Sequence, residues 1–126
     1  MTNILVVDDT VDAAESLALL FDALGHETHT AFDGEQALAA AEKHMPHIIF
    51  LDLDMPVRDG YEAARSIRRS TSAHRPFLVA LTGQSGPEIR RRADAAGFDF
   101  YMHKPARADA LLALVSDLEG RDRPAK

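Results

Sequence analysis

Three runs of consecutive apolar residues, at positions 4–7, 48–51 and 77–81, constrain the fold more than any other feature of the chain. A strand with one wet face alternates apolar and polar residues. A continuous run needs cover on both faces, which is the pattern of a parallel sheet lined by helices on either side. Two further runs, 28–31 and 98–102, complete a set of five at roughly regular intervals. The segments between them carry helical periodicity. Val11, Ala14, Leu17, Phe21 and Leu24 fall on one face, and Leu111, Leu114, Val115 and Leu118 on another. Gly25 and Gly97 follow helical runs as stop signals, while Asp33 with Gln36, Asp59 with Glu62 and Ser85 with Glu88 have capping-box spacing.

This alternation predicts an α/β fold of five βα units around a five-stranded parallel, doubly wound sheet. Right-handed crossovers follow, and the ligand crevice should lie outside the carboxyl ends of the strands. The 126 residues make one domain, expected over 1–119, with a short polar tail at 120–126. No stretch has the form of a signal peptide or a membrane span, and there are no cysteines, which removes disulfides, thiolate metal sites and cysteine nucleophiles. A cytoplasmic protein is expected, with no membrane partner. The formal charge of −6 repels nucleic-acid phosphates, so no direct nucleic-acid partner is expected. Arg90, Arg91 and Arg92 form a small basic cluster, read as a solvated helix face in preference to a docking surface.

The residues just past the apolar runs are Asp8 and Asp9, Asp52 and Asp54, Thr82, and Lys104. Singly, each has an ordinary structural reading: a helix cap for the acidic pair, a loop cap for the threonine, a surface position for the lysine. Together they fall on one sheet edge. Several carboxylates in one crevice repel one another unless a cation or raised pKa values relieve them. Carboxylate, carbonyl and water ligands suit magnesium, which keeps several waters and leaves room for a phosphoryl oxygen. A carboxylate can attack phosphorus to give an aspartyl phosphate, provided the anionic repulsion is neutralised and the transferring oxygens are held. The Lys104 ammonium and the Thr82 hydroxyl are suited to hold them, and Gly83 leaves space for the incoming group.

The segments ILVVDD at 4–9, IIFLDLDMPVRDG at 48–60, VALTG at 79–83 and FYMHKP at 100–105 resemble those of response-regulator receiver domains of two-component signalling. The resemblance covers nearly the whole chain and implies a flavodoxin-like (βα)5 fold. It implies Asp52 as phosphoacceptor, with Thr82 and Lys104 on the phosphoryl oxygens. For Mg2+ it implies Asp9 as a direct ligand, Asp8 through water, Asp52, and the backbone carbonyl of Asp54. Thr82 and Tyr101 would form the switch, Lys104-Pro105 would be cis, and Gly60 would shape the loop after the acceptor. The implied partners are a histidine kinase or histidine phosphotransfer protein upstream and an effector protein downstream. The implied activity is slow self-phosphorylation from small phosphodonors and slow self-dephosphorylation, not turnover by an enzyme.

Three positions depart from the commonest family pattern. Ala106 stands where an apolar residue such as phenylalanine often follows the Lys-Pro pair, which weakens an expectation of dimerisation through the fourth and fifth helices. Asp54 and Gln84, two residues past Asp52 and Thr82, are expected to tune dephosphorylation. The stretch 79–105 is closer in character to receiver modules of hybrid histidine kinases than to those of transcription factors. A haloacid-dehalogenase-type phosphatase is the competing reading of the DxD spacing in LDLDM at 51–55, but that family places its second acidic pair late in the chain. A phosphorylation-independent receiver would be expected to lack one of the Asp, Asp, Thr and Lys positions. The six histidines have no HExxH spacing for zinc, and a flavin phosphate would meet Asp8 and Asp9.

Overall fold

The computed structural model describes residues 2–55, 59–71 and 75–121. The elements alternate without exception: β1 (Asn3–Val7), α1 (Val11–Ala23), β2 (Glu27–Ala31), α2 (Gly34–His44), β3 (Ile48–Asp52), α3 (Asp59–Ser70), β4 (Phe77–Thr82), α4 (Pro87–Ala96), β5 (Phe100–His103) and α5 (Ala108–Glu119). All strand pairings are parallel and the sheet order is β2-β1-β3-β4-β5. The expected doubly wound sheet is therefore present. The central strands are fully buried because the pleat sends alternate residues into two separate cores. Leu5, Val7, Ile49, Leu51, Leu78 and Ala80 meet α2, α3 and α4. Ile4, Val6, Ile48, Phe50, Phe77 and Val79 meet α1 and α5, where Phe21 stacks on Phe50 at 5.2 Å.

Chain order reverses direction across the sheet at β1, whose neighbours are β2 and β3. That reversal opens a crevice beyond the carboxyl ends of β1 and β3. Asp8 and Asp9 follow β1, and Asp52 closes β3.

Local signals performed unevenly. Asp33 accepts from the Gln36 N–H at 2.7 Å, and the Gln36 side chain accepts from the Phe32 N–H at 3.0 Å, so the capping box holds with its return bond one residue early. Ser85 does not cap α4: the N-cap is Gly86 at φ 117°, because Pro87 occupies the first helical position and sets the entry. Asp59 is the first residue of α3, and its side chain lies outside the described residues. Gly25 and Gly97 both take positive φ after their helices. On α1, Ala14 and Phe21 are buried, but Val11 and Leu24 at its ends are exposed beyond the edge of the sheet's cover. On α5, Leu111, Val115 and Leu118 are buried as expected.

The fifth strand starts at Phe100, not at 98. The Phe98 N–H closes the end of α4 on the Ala93 carbonyl at 3.1 Å, and the Asp99 carboxylate is drawn aside by Arg68 at 2.6 Å. Of the tail expected at 120–126, residues 122–126 lie outside the described residues, as do positions 56–58 of the motif after Asp52 and His74.

Candidate functional site

The crevice gathers the expected residues. Asp52 is 3% exposed, and Asp8, Asp9 and Asp52 each offer a carboxylate oxygen within 4.8 Å of the others. Two donors converge on Asp52 Oδ1: the Lys104 ammonium and the Asp54 backbone N–H, both at 2.8 Å. β5 delivers Lys104 to this place from the far side of β4, with the Lys104 N–H bound to the Thr82 carbonyl at 2.8 Å. The Lys104-Pro105 bond is cis, as expected.

Crowding shows in the electrostatics. Burial, with the Asp52 charge beside it, pushes the Asp8 carboxyl up to about 6, against the pull of the Thr10 N–H it accepts at 2.9 Å. Burial lowers the Lys104 pKa, but the hydrogen bond and charge of Asp52, with Asp54 and Asp8 behind it, outweigh this and raise it overall. The ammonium is thus firmly charged. Three carboxylate oxygens drawn from Asp8, Asp9 and Asp52 fit a hard divalent cation in both donor type and charge. Among the described residues this is the only such cluster of potential metal ligands.

The Asp54 side chain points elsewhere. Its Oδ1 accepts from the Thr82 hydroxyl at 2.8 Å, its Oδ2 accepts from the Gly83 N–H at 2.6 Å, and Lys104 Nζ stands 3.4 Å from Oδ2. Burial pushes this carboxyl up, yet these three donors together hold it below the usual range. Thr82 is buried, and its oxygen also accepts from the Gln84 N–H at 3.0 Å. A Cβ at Gly83 would stand 3.3 Å from Asp54 Oδ2, a tight contact that the carboxylate would have to relieve by a few tenths of an ångström.

Tyr101 is half-buried and donates its hydroxyl to the Gln84 carbonyl at 2.7 Å. The basic cluster on α4 divides. Arg91 pairs with Glu88 at 2.6 Å, whereas Arg90 lies over the Tyr101 ring at 5.2 Å and Arg92 over the Tyr61 ring at 4.2 Å. All three residues are exposed, so the reading as a solvated face holds, and the guanidinium groups of Arg90 and Arg92 find aromatic faces within cation–π range as well.

Gly60 shapes the approach of α3 to the site. A Cβ there would meet the Asp52 carbonyl at 2.9 Å and the Leu53 Cα at 3.1 Å, both backbone atoms that cannot swing away. Gly60→Ala is expected to lose about 1–3 kcal/mol of stability through this overpacking, read as a lower urea midpoint at unchanged slope.

Sequence reasoning missed Arg68. From α3 it donates Nε to the Gly97 carbonyl at 2.8 Å, one terminal nitrogen to the Pro76 carbonyl at 2.7 Å and the other to Asp99 at 2.6 Å. It ties together the entries of β4 and β5. No spacing signal marks it, because two of its three partners are backbone carbonyls.

Comparison with known proteins gives the family and supports the fold. The family model described as response regulator receiver domain matches residues 4–116. The response regulator MprA of a Mycobacterium species is 39% identical over 130 aligned positions, covering 98% of this chain and 56% of that protein. A gliding motility regulatory protein of Myxococcus xanthus is 32% identical over 115 residues, covering 91% of this chain but 15% of the relative. The chain thus spans about half, or much less, of the length of these relatives. Among solved structures, the chemotaxis protein CheY4 of Vibrio cholerae superposes with a TM-score of 0.86 at 29% identity, covering 94% of this chain and 98% of that one. With the fold, the edge cluster and the family match in agreement, the chain belongs to the response regulator receiver domain family of two-component systems.

Proposed function

We propose that this chain is a phosphoacceptor that takes a phosphoryl group onto Asp52 in a Mg2+-dependent reaction and signals by a changed surface. The observation that carries the reading is the Asp52 carboxylate, buried at the end of β3, with Lys104 at 2.8 Å on one side and the Asp8 and Asp9 carboxylates on the other. An Asp52 oxygen attacks phosphorus, the bond from phosphorus to the donor breaks, and the donor leaves with that electron pair. From a histidine kinase or phosphotransfer protein the leaving group is an imidazole. Magnesium held by Asp8, Asp9, Asp52 and the Asp54 carbonyl would neutralise charge on the transferring oxygens. Lys104 pairs with one phosphoryl oxygen as a point charge, and the Thr82 hydroxyl, once turned to the acceptor, donates to another.

Replacing the single charge of the Asp52 carboxylate by a phosphoryl group of about −1.5 to −2 charges shifts an existing equilibrium between resting and active forms, with Thr82 and Tyr101 as its moving parts. The readout is binding of a downstream effector protein. The receiver unit is taken as residues 1–119 with a short tail. Among the described residues no helix is long and apolar enough to cross a membrane, and the net charge of −6 disfavours nucleic acid. A cytoplasmic signalling module fits these properties.

Intact-mass measurement after incubation with acetyl phosphate tests the reading. One phosphoryl adduct is expected with magnesium, none after chelation, and hydroxylamine should remove it. Steady release of inorganic phosphate without an adduct would favour the phosphatase reading instead. Neither adduct nor release, from acetyl phosphate or from a phosphorylated histidine phosphotransfer domain, would defeat the phosphoacceptor assignment.

A further inference from the structure

We infer that the Asp54 carboxylate is a built-in surrogate for the phosphoryl group, occupying in the resting state the donors that the phosphoryl oxygens need. This deepens the proposed function and rests on it. The donors available beside Asp52 are the Thr82 hydroxyl, the Gly83 N–H and the Lys104 ammonium. Asp54 engages the first at 2.8 Å and the second at 2.6 Å, and its Oδ2 lies 3.4 Å from the third. A carboxylate presents two anionic oxygens to this set, much as a phosphoryl group presents its own. The backbone favours the arrangement, because the Asp54 N–H is itself anchored on Asp52 Oδ1 at 2.8 Å, which sets the two carboxylates side by side. Thr82 is also fixed from behind by the Gln84 N–H, so its hydroxyl is aimed at Asp54 and not left to rotate.

The consequence is competition. An incoming phosphoryl group must expel the Asp54 carboxylate before Thr82 and Gly83 can turn to it, so part of the attraction of these donors is already spent in the resting state. Two charge-assisted hydrogen bonds are exchanged, not newly made. Loss of the surrogate should leave the donors free for the ligand. The resting form is thereby favoured over the active one by a residue outside the acceptor itself, and Asp54 acts here as a positioning residue on Thr82 and Lys104.

Beryllofluoride in the presence of magnesium serves as the probe, because it mimics a bound phosphoryl group without turnover. Asp54→Asn and Asp54→Ala are expected to bind it about tenfold more tightly than the unaltered chain, the gain of roughly one charge-assisted hydrogen bond. That gain should persist at high salt, where a general relief of negative charge would fade. The amide proton of Gly83 should move upfield in both metal-free variants as the short bond to the carboxylate is lost. Unchanged or weaker binding by both folded variants, a gain that vanishes with salt, or an unmoved Gly83 amide would overturn the inference. If the unaltered chain binds no beryllofluoride and takes no phosphoryl group, the underlying reading fails first, and the two failures are told apart.

Discussion

Asp52→Asn is expected to take up no phosphoryl group from acetyl phosphate under conditions in which the unaltered chain is labelled, while its unfolding midpoint moves little. The two halves of this expectation come from the same atom. Asp52 Oδ1 accepts from Lys104 and from the Asp54 N–H, each at 2.8 Å, and a carboxamide oxygen can take over both roles. What it lacks is the negative charge that makes a carboxylate a nucleophile toward phosphorus. The stability change is a difference of two modest effects. Lys104 loses an anionic partner at a site where its side chain is 33% exposed, which costs about 1 kcal/mol or less. Removing one charge from the three crowded carboxylates offsets part of that, since Asp8 is pushed up to about 6 by burial and by Asp52. Intact mass and urea unfolding check both halves. An adduct retained by the folded variant would move the acceptor to another carboxylate.

How much of this could be read in advance depended on whether the signal was local. The strands β1, β3 and β4 were legible because continuous apolar runs have one meaning in a sheet covered on both faces, and Asp8, Asp9, Asp52, Thr82 and Lys104 were legible because they end such runs. Direction was not. The sequence placed Asp54 near the acceptor as one more charge, but that its carboxylate turns to Thr82 and Gly83 depends on β4 lying beside β3, a contact across 28 and 29 residues. The start of β5 was misread for a similar reason. Phe98 and Asp99 have strand-like neighbours, yet their backbone and side-chain groups are claimed by the end of α4 and by Arg68. Ser85 failed as a cap because a proline two residues later settled where the helix begins.

Arg68→Ala carries the largest expected loss of stability, about 2–4 kcal/mol, a large share of the roughly 5–15 kcal/mol that hold a domain folded. Its guanidinium is 12% exposed and its partner Asp99 18% exposed, so neither end is well placed to recover water. Burial pulls the Arg68 pKa below its ordinary value, Asp99 beside it offsets only part of that, and the nearby Arg75 charge adds to the lowering. Truncation would leave the Gly97 and Pro76 carbonyls without this donor, and Asp99 with the Leu78 N–H at 2.9 Å and the more distant Arg75 at 3.7 Å. Arg68→Lys should recover only part of the loss, because one ammonium cannot span three acceptors that the planar fork reaches together. The effect should extend toward the crevice. Asp99 fixes the entry of β5, and β5 carries Tyr101 and leads into Lys104, so loosening that end is expected to slow phosphoryl uptake even where the variant remains folded. Urea unfolding at matched slopes, with the labelling rate measured well below the midpoint, separates the two contributions. A stability loss under about 1 kcal/mol would show that Arg68 is held by the fold and does not hold it.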